Sequence, residues 1–393
     1  MVHPKFPMKR FVDAMEEKDL DVLLATVPEN VFYVTDLPAS PVSPNRLLNV
    51  VKNSSPTFAV INRNGGVALV TTSAAVELAR EKSWVADIRT YSTGTYIVRP
   101  GAPIPKDVAT DPLDAVARVI KDQGRVKRVG MDRKFATVHT SETLRKLLKG
   151  VRISDETLLF EYLRMIKSEE EIRRFKEANR ILCIAIRKVM AETRPGVPEH
   201  DLQLILKSTI LREGGDMWQQ TSIAAGPEDG PNIYSPPTER KIRKGDIIRL
   251  DIGCVYMGYT ADLSRTLVVG EAPKEAHRIY NVLQEAEYML IDACKPPNKA
   301  SELHAIVENH VAKNLDQKYR RGNVGHGVGV ELYDRPALSR NDDTEMQPGM
   351  TLSLEVPYHK FGLGGFNVED SAVVTRSGHQ IVSDLPQELI TVG

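Results

Sequence analysis

Acidic residues inside strand-like segments constrain this chain more than any other feature. Asp251 stands within IIRLDIG, Asp262 within ADLSRTLVV, Glu355 within MTLSLEV and Glu369 within GFNVEDSAVVT. Asp and Glu are depleted from strands, because a charge on a half-buried pleated surface loses hydration. Side chains alternate across a strand, so Thr351, Ser353 and Glu355 share one face while Leu352, Leu354 and Val356 share the other. Asp251 likewise alternates with Leu250 and Ile252, and Glu369 opposes Val368. Each acid has an apolar side nearby and another side free to face a shared cavity. Several carboxylates in one cavity repel strongly unless cations neutralise them. Asp251 and Asp262 flank a turn expected at Met257-Gly258, so a hairpin brings them together.

His326 sits in Gly325-His326-Gly327-Val328-Gly329, where the glycines permit unusual dihedrals and close backbone approach around the imidazole. Carboxylate oxygens with one imidazole suit Mn, Co, Fe or Zn, and the oxygen-rich set leans towards Mn. Taken singly, each acid reads as a surface or salt-bridged residue, and a Gly-rich turn with a His is common. The metal reading rests on their joint occurrence.

The chain is 393 residues long, which favours two domains with a sizeable core in each. The first 160 residues alternate strand-like and helix-like runs, with LDVLLAT as a buried strand and PTFAVINRNGGVALVTT as two strands joined by an Asn-Gly-Gly turn. This predicts an α/β domain over residues 1–160. Ser168 with Glu171 then has the capping-box pattern, followed by Ile172, Phe175, Leu182, Ile186 and Val189 at helical spacing. Further helices are expected after Pro198 and over roughly 273–293. With the strands named above, residues 161–393 read as an α+β arrangement, helices on one face of a curved antiparallel sheet.

Lys+Arg and Asp+Glu each number 52, so there is no basic excess and no nucleic-acid partner is expected. No apolar run reaches membrane-spanning length. Cys183, Cys254 and Cys294 are far apart and form no CxxC pair, which suits a reducing compartment. With no signal-like apolar stretch at the start, the expected location is cytoplasmic.

The ordered segments KGDIIRLDIGCVYMGYTADLSRT, GHGVGVELYDRP, PGMTLSLEV and VED resemble the metal-binding segments of the Xaa-Pro peptidase, methionine aminopeptidase and creatinase family. The resemblance covers about residues 160–393 and implies that family's pita-bread fold. It implies two divalent metal ions per chain, with Mn favoured and Co, Zn or Fe possible. Asp251 would be the first ligand, Asp262 and Glu369 the bridging ligands, and His326 and Glu355 would complete the other ion's shell. The N-terminal segment containing PENVFYVTD resembles the additional α/β domain of prolidases, aminopeptidases P and creatinase, which methionine aminopeptidases lack. A homodimer is implied as well, and a net charge of zero is compatible with it.

The resemblance implies a dinuclear metal-dependent hydrolase that cleaves a peptide bond involving proline through a metal-bridging hydroxide, with Glu355 as proton shuttle. The alternative is a creatinase-like hydrolase of a non-peptide C–N bond in a small nitrogenous metabolite. A third possibility is a non-enzymatic binding protein on the same fold. Retention of all five ligands favours a metal enzyme, with a small peptide or small amide-like molecule as substrate.

Four positions depart from the family pattern. Tyr333 and Tyr234 stand where histidines are common, and are the other candidate catalytic residues. Asn367 replaces an Arg common in prolidases, and His359 replaces a Tyr. These changes predict a more neutral, hydroxyl-lined pocket, weak turnover of Xaa-Pro dipeptides, and better turnover of longer peptides or uncharged amides.

Overall fold

The structure, a computed structural model, describes residues 6–37, 56–92, 100–101, 108–134 and 136–393. It divides into two compact units, Met1–Leu163 and Arg164–Gly393. No helix among the described residues is long and apolar enough to cross a membrane.

The first unit is built on six strands: β1 (Val22–Ala25), β2 (Phe58–Asn62), β3 (Val67–Thr72), β4 (Asp87–Tyr91), β5 (Arg128–Met131) and β6 (Arg152–Asp155). Their order is β4-β3-β2-β1-β5-β6. The β1–β2 and β2–β3 pairs are antiparallel and the others parallel. The Asn-Gly-Gly turn falls between β2 and β3, with Gly65 at φ 80°, a backbone region that glycine enters without steric cost. Helix Pro112–Asp122 starts where Asp111 accepts hydrogen bonds from the Leu113 and Asp114 amides, and it buries Leu113, Val116 and Ile120 in the core shared with β1, β2 and β5. At the end of β5, the buried Asp132 accepts from the amides of Thr26 and Val27 and from Asn30 Nδ2. Those bonds fix the start of helix Pro28–Thr35.

In the second unit, helix Glu169–Glu192 opens with the expected capping box: Ser168 Oγ accepts from the Glu171 amide and the Glu171 carboxylate accepts from the Ser168 amide. It ends before Arg194-Pro195-Gly196. Helices Glu199–Arg212, Lys274–Ala293 and Ala300–Asn314 follow, the last without a counterpart in the sequence reading.

The sheet of this unit contains β7 (Met217–Ala225), β8 (Ile247–Tyr256), β9 (Tyr259–Val269), β10 (Gly325–Gly327), β11 (Asp334–Ala337), β12 (Thr351–Glu355) and β15 (Glu369–Val374). They run in the order β11-β10-β12-β15-β9-β8-β7, with β16 (His379–Ile381) beside β15 and β17 (Ile390–Val392) beside β9. A separate pair is formed by β13 (Tyr358–Lys360) and β14 (Gly364–Phe366). The β8–β9 hairpin turns at Met257 and Gly258, both at positive φ, the combination that matches the twist of a two-residue hairpin. GFNVEDSAVVT is not one strand, because β14 leaves the main sheet to pair with β13. Gly365 makes that departure possible: a Cβ there would lie 2.0 Å from the Gly230 carbonyl oxygen.

Strand alternation separates core from site. Ile248, Leu250, Ile252 and Cys254 of β8 pack with Ala261, Leu263 and the helix residues Ile181, Leu182 and Ile186. Leu352, Leu354 and Ala372 pack with Ile279, Leu283, Leu303 and Val307 of the later helices. The helices therefore cover one face of the sheet, as expected. Asp251, Glu355 and Glu369 point from the other.

Candidate metal centre

Strand register assembles the acids. Asp251 pairs with Ser264, Ser264 with Glu369, and Glu369 with Glu355, so one row crosses β8, β9, β15 and β12. In the next row on the same face, Asp262 pairs with Gly253, while Ser371 pairs with Ser353 and Ser353 with His326. Neighbouring strands lie about 4.8 Å apart and same-face residues about 6.8 Å apart along a strand. Four carboxylates and one imidazole thus converge without any long loop.

Asp262, His326 and Glu369 are buried, and one ligand atom from each lies within 4.8 Å of the others. His326 Nε2 is 3.8 Å from Asp262 Oδ2. Its Nδ1 lies 3.0 Å from the Gly327 carbonyl, which only accepts, so Nδ1 carries the proton and Nε2 presents a lone pair. The flanking glycines are required there. Gly325 has φ 137° and a Cβ would come within 2.2 Å of the Ser353 carbonyl oxygen, while a Cβ at Gly327 would meet that of Arg335 at 2.0 Å.

Burial is the main perturbation of these groups. It lowers the His326 pKa to about 4, leaving a neutral imidazole. Burial, then the charges of Asp251 and Glu355, push the Asp262 carboxyl well above the usual carboxylate range. Glu369 is raised by burial and by Asp262, Glu355 and Asp251, although the Ser353 hydroxyl donates to it. Glu355 is raised to about 7, by burial first and with Arg321 opposing. Asp262 Oδ1 is buried with no hydrogen-bond partner among the described residues. A cation among these oxygens would relieve both the repulsion and the orphaned acceptor, so the donor set fits divalent metal.

All five residues line one cavity of about 450 Å³, together with Tyr234, Tyr333, His359 and Asn367. The Tyr333 ring centroid lies 4.2 Å from that of His326. Tyr234 is 88% exposed and stands at the rim. His139 and His277 are exposed, His310 is half-buried, and the buried His304 binds the Arg321 carbonyl.

The expectation of a neutral pocket is corrected. Arg249 and Arg321 both line the cavity. Arg249 is 1% exposed. Its Nη1 donates to Asp251 Oδ2 at 2.6 Å and its Nη2 to Ser222 Oγ at 2.8 Å. Arg321 Nη2 lies 3.8 Å from Glu355 Oε1. The signal for Arg249 was present in IIRLDIG, where alternation puts it on the face of Asp251. Arg321 lies outside any strand, and nothing local marks it.

Residues 173–376 match the model of metallopeptidase family M24, and residues 7–166 match that of the creatinase/prolidase N-terminal domain. The Xaa-Pro dipeptidase of Pyrococcus horikoshii is 24% identical over 384 residues, 98% of each chain. An uncharacterized peptidase of Bacillus subtilis is 28% identical over 265 residues, 67% of this chain and 75% of that one. Among solved structures, an Xaa-Pro dipeptidase from Bacillus anthracis superposes with a TM-score of 0.82 at 24% identity, covering 98% of this chain and 99% of that one. An X-Pro aminopeptidase from Thermotoga maritima gives 0.80 at 20% identity, with 98% and 99% coverage. At these identities the superpositions show the fold: a creatinase-type N-terminal domain followed by a pita-bread domain.

Proposed function

We propose, since this chain belongs to metallopeptidase family M24, that it hydrolyses a peptide bond involving proline with two divalent metal ions held by Asp251, Asp262, His326, Glu355 and Glu369. The observation that carries the proposal is the convergence of those five residues on one sheet face within one cavity. The relatives named Xaa-Pro dipeptidase supply the bond type. Asp262 and Glu369 are the proposed bridging ligands, and the oxygen-rich set favours Mn.

Divalent ions, when bound, supply Lewis acidity towards a carbonyl oxygen and towards water. The chain's own groups do the rest. Glu355 is the proposed proton shuttle, taking a proton from water and returning it to the leaving nitrogen. Arg321 faces Glu355 and favours its ionised form. The Gly327 carbonyl holds His326 in one tautomer. The Tyr333 hydroxyl is the proposed donor to an oxyanion, a reading supported by the ring's contact with His326. Tyr234 at the rim is proposed to contact the substrate.

A homodimer in the cytoplasm completes the proposal. Net charge is zero, and Cys183, Cys254 and Cys294 are buried thiols outside any disulfide. The activity is tested by incubating metal-reconstituted protein with Xaa-Pro dipeptides, longer Xaa-Pro peptides and small amides, and assaying prolyl-bond cleavage. Turnover confined to the small amides would replace this reading with hydrolysis of a non-peptide C–N bond.

A further inference from the structure

The cavity carries more than its metal-binding acids. Arg249 Nε, Arg321 Nε, Asn323 Oδ1, Asn367 Oδ1 and both ring nitrogens of His359 are buried without a hydrogen-bond partner among the described residues. All five of these residues line the same cavity. Buried polar atoms are ordinarily paired, and each exception asks for an explanation. So many in one cavity mark a wall that a bound molecule completes.

The chemistry of that molecule follows from the donors. Guanidinium nitrogens only donate. Arg249 commits Nη1 to Asp251 and Nη2 to Ser222 and to the carbonyls of Asn232 and Ile233, which leaves its Nε–H. Arg321 stands 3.8 Å from Glu355, beyond hydrogen-bond range. His359 is neutral, its pKa held down to about 4 by burial and then by the charges of Arg249 and Arg321, so it offers one N–H and one acceptor. Two divalent ions would balance the four carboxylates, and the two guanidiniums would leave a net positive charge even against a hydroxide. No cation stands at position 367, which is Asn.

We infer that Arg321, His359 and the Nε–H of Arg249 form an anion subsite that receives a carboxylate of the substrate, while Asn323 and Asn367 accept from substrate N–H groups. The inference deepens the proposed activity and rests on it for placing substrate in this cavity. It reverses the expectation of an uncharged substrate: the cation missing at position 367 is supplied from β8 and from the segment before His326.

Calorimetric titration of the metal-reconstituted full chain with N-acetylproline and N-acetylprolinamide, and with N-acetylglycine and its amide, tests this. In at least one pair the acid is expected to bind about tenfold or more tightly than the amide, the worth of a charge-assisted hydrogen bond. Arg321→Gln should bring that ratio to within about twofold at unchanged metal content, and Arg321→Lys should restore part of it. If Arg321→Gln loses metal, His359→Phe provides the second reading and should lower the ratio at full metal content. A carboxylate held by metal alone would keep its preference in both variants. That result, or equal or undetectable binding of acid and amide by the wild type, overturns the subsite. Binding is read without bond cleavage, so a chain that prefers the acids yet splits no prolyl bond sinks the proposed activity and not the subsite.

Discussion

Glu369 stands directly opposite Glu355 in the antiparallel ladder between β12 and β15. Like charges in that relation destabilise a sheet, and here Glu369 is buried beside Asp262 and Glu355 is half-buried. The metal-free protein meets the repulsion by favouring the protonated forms. A raised carboxyl pKa means that the folded chain binds more protons than the unfolded chain, between the ordinary value and the raised one. Stability then falls as pH rises through that window. For Glu355 the window runs from 4.5 to about 7. Relative to Glu355→Gln, the metal-free wild type should therefore lose stability over that range, by something of the order of 3 kcal/mol. Saturating divalent ion should remove the wild type's loss over that range, because a bound cation favours the ionised carboxylates. Thermal melts at stepped pH measure it, and a wild type that gains stability relative to Glu355→Gln as pH rises would contradict the account.

A buried network holds the segment after His326. Asp334 accepts from Arg164 Nη2 at 2.9 Å and lies 3.5 Å from Lys167 Nζ, and all three side chains are at most 2% exposed. Asp334 also begins β11, the strand that pairs with β10. Asp334→Ala would leave two buried cations without their shared partner and should cost roughly 3–5 kcal/mol. Urea unfolding reads this directly, and a loss below about 1 kcal/mol would show that the network is dispensable.

Tyr333→Phe keeps the ring against His326 and removes only the hydroxyl. If that hydroxyl stabilises a developing oxyanion, kcat should fall about 100-fold with little change in KM. Tyr333→His should likewise change kcat more than KM. Steady-state kinetics on one Xaa-Pro substrate would show an unchanged kcat in Tyr333→Phe if the residue is only packing.

The proposed homodimer is checked by sedimentation at micromolar concentration. A single species at twice the chain mass of 43.8 kDa is expected, and monomer alone would remove the dimer from the account.

How much of this was legible in the sequence follows from the range over which each signal acts. The acids could be read because a carboxylate in an apolar strand is locally anomalous, and alternation gave their faces. The capping box at Ser168 and Glu171 and the turn at Met257-Gly258 are likewise local, and both are present. Helix Ala300–Asn314 was missed because its start lacks such a signal: Lys299 occupies the N-cap position, where Ser, Thr, Asp and Asn are preferred. The break between β14 and β15 depends on Gly365 meeting Gly230, a contact across 135 residues that no window contains. The cavity's charge divides along the same line: alternation in IIRLDIG puts Arg249 on the face of Asp251, whereas Arg321 reaches the cavity from a segment that nothing local marks.

Metal content by elemental analysis, measured alongside turnover of a prolyl peptide, tests the central claim most directly. The wild type should hold two divalent ions per chain and be active. Asp262→Ala, which removes a proposed bridging carboxylate, should lose most of its metal and, by the same change, most of its turnover. Asp262→Ala protein that keeps the wild-type metal content would contradict the assignment of this cavity as the metal centre.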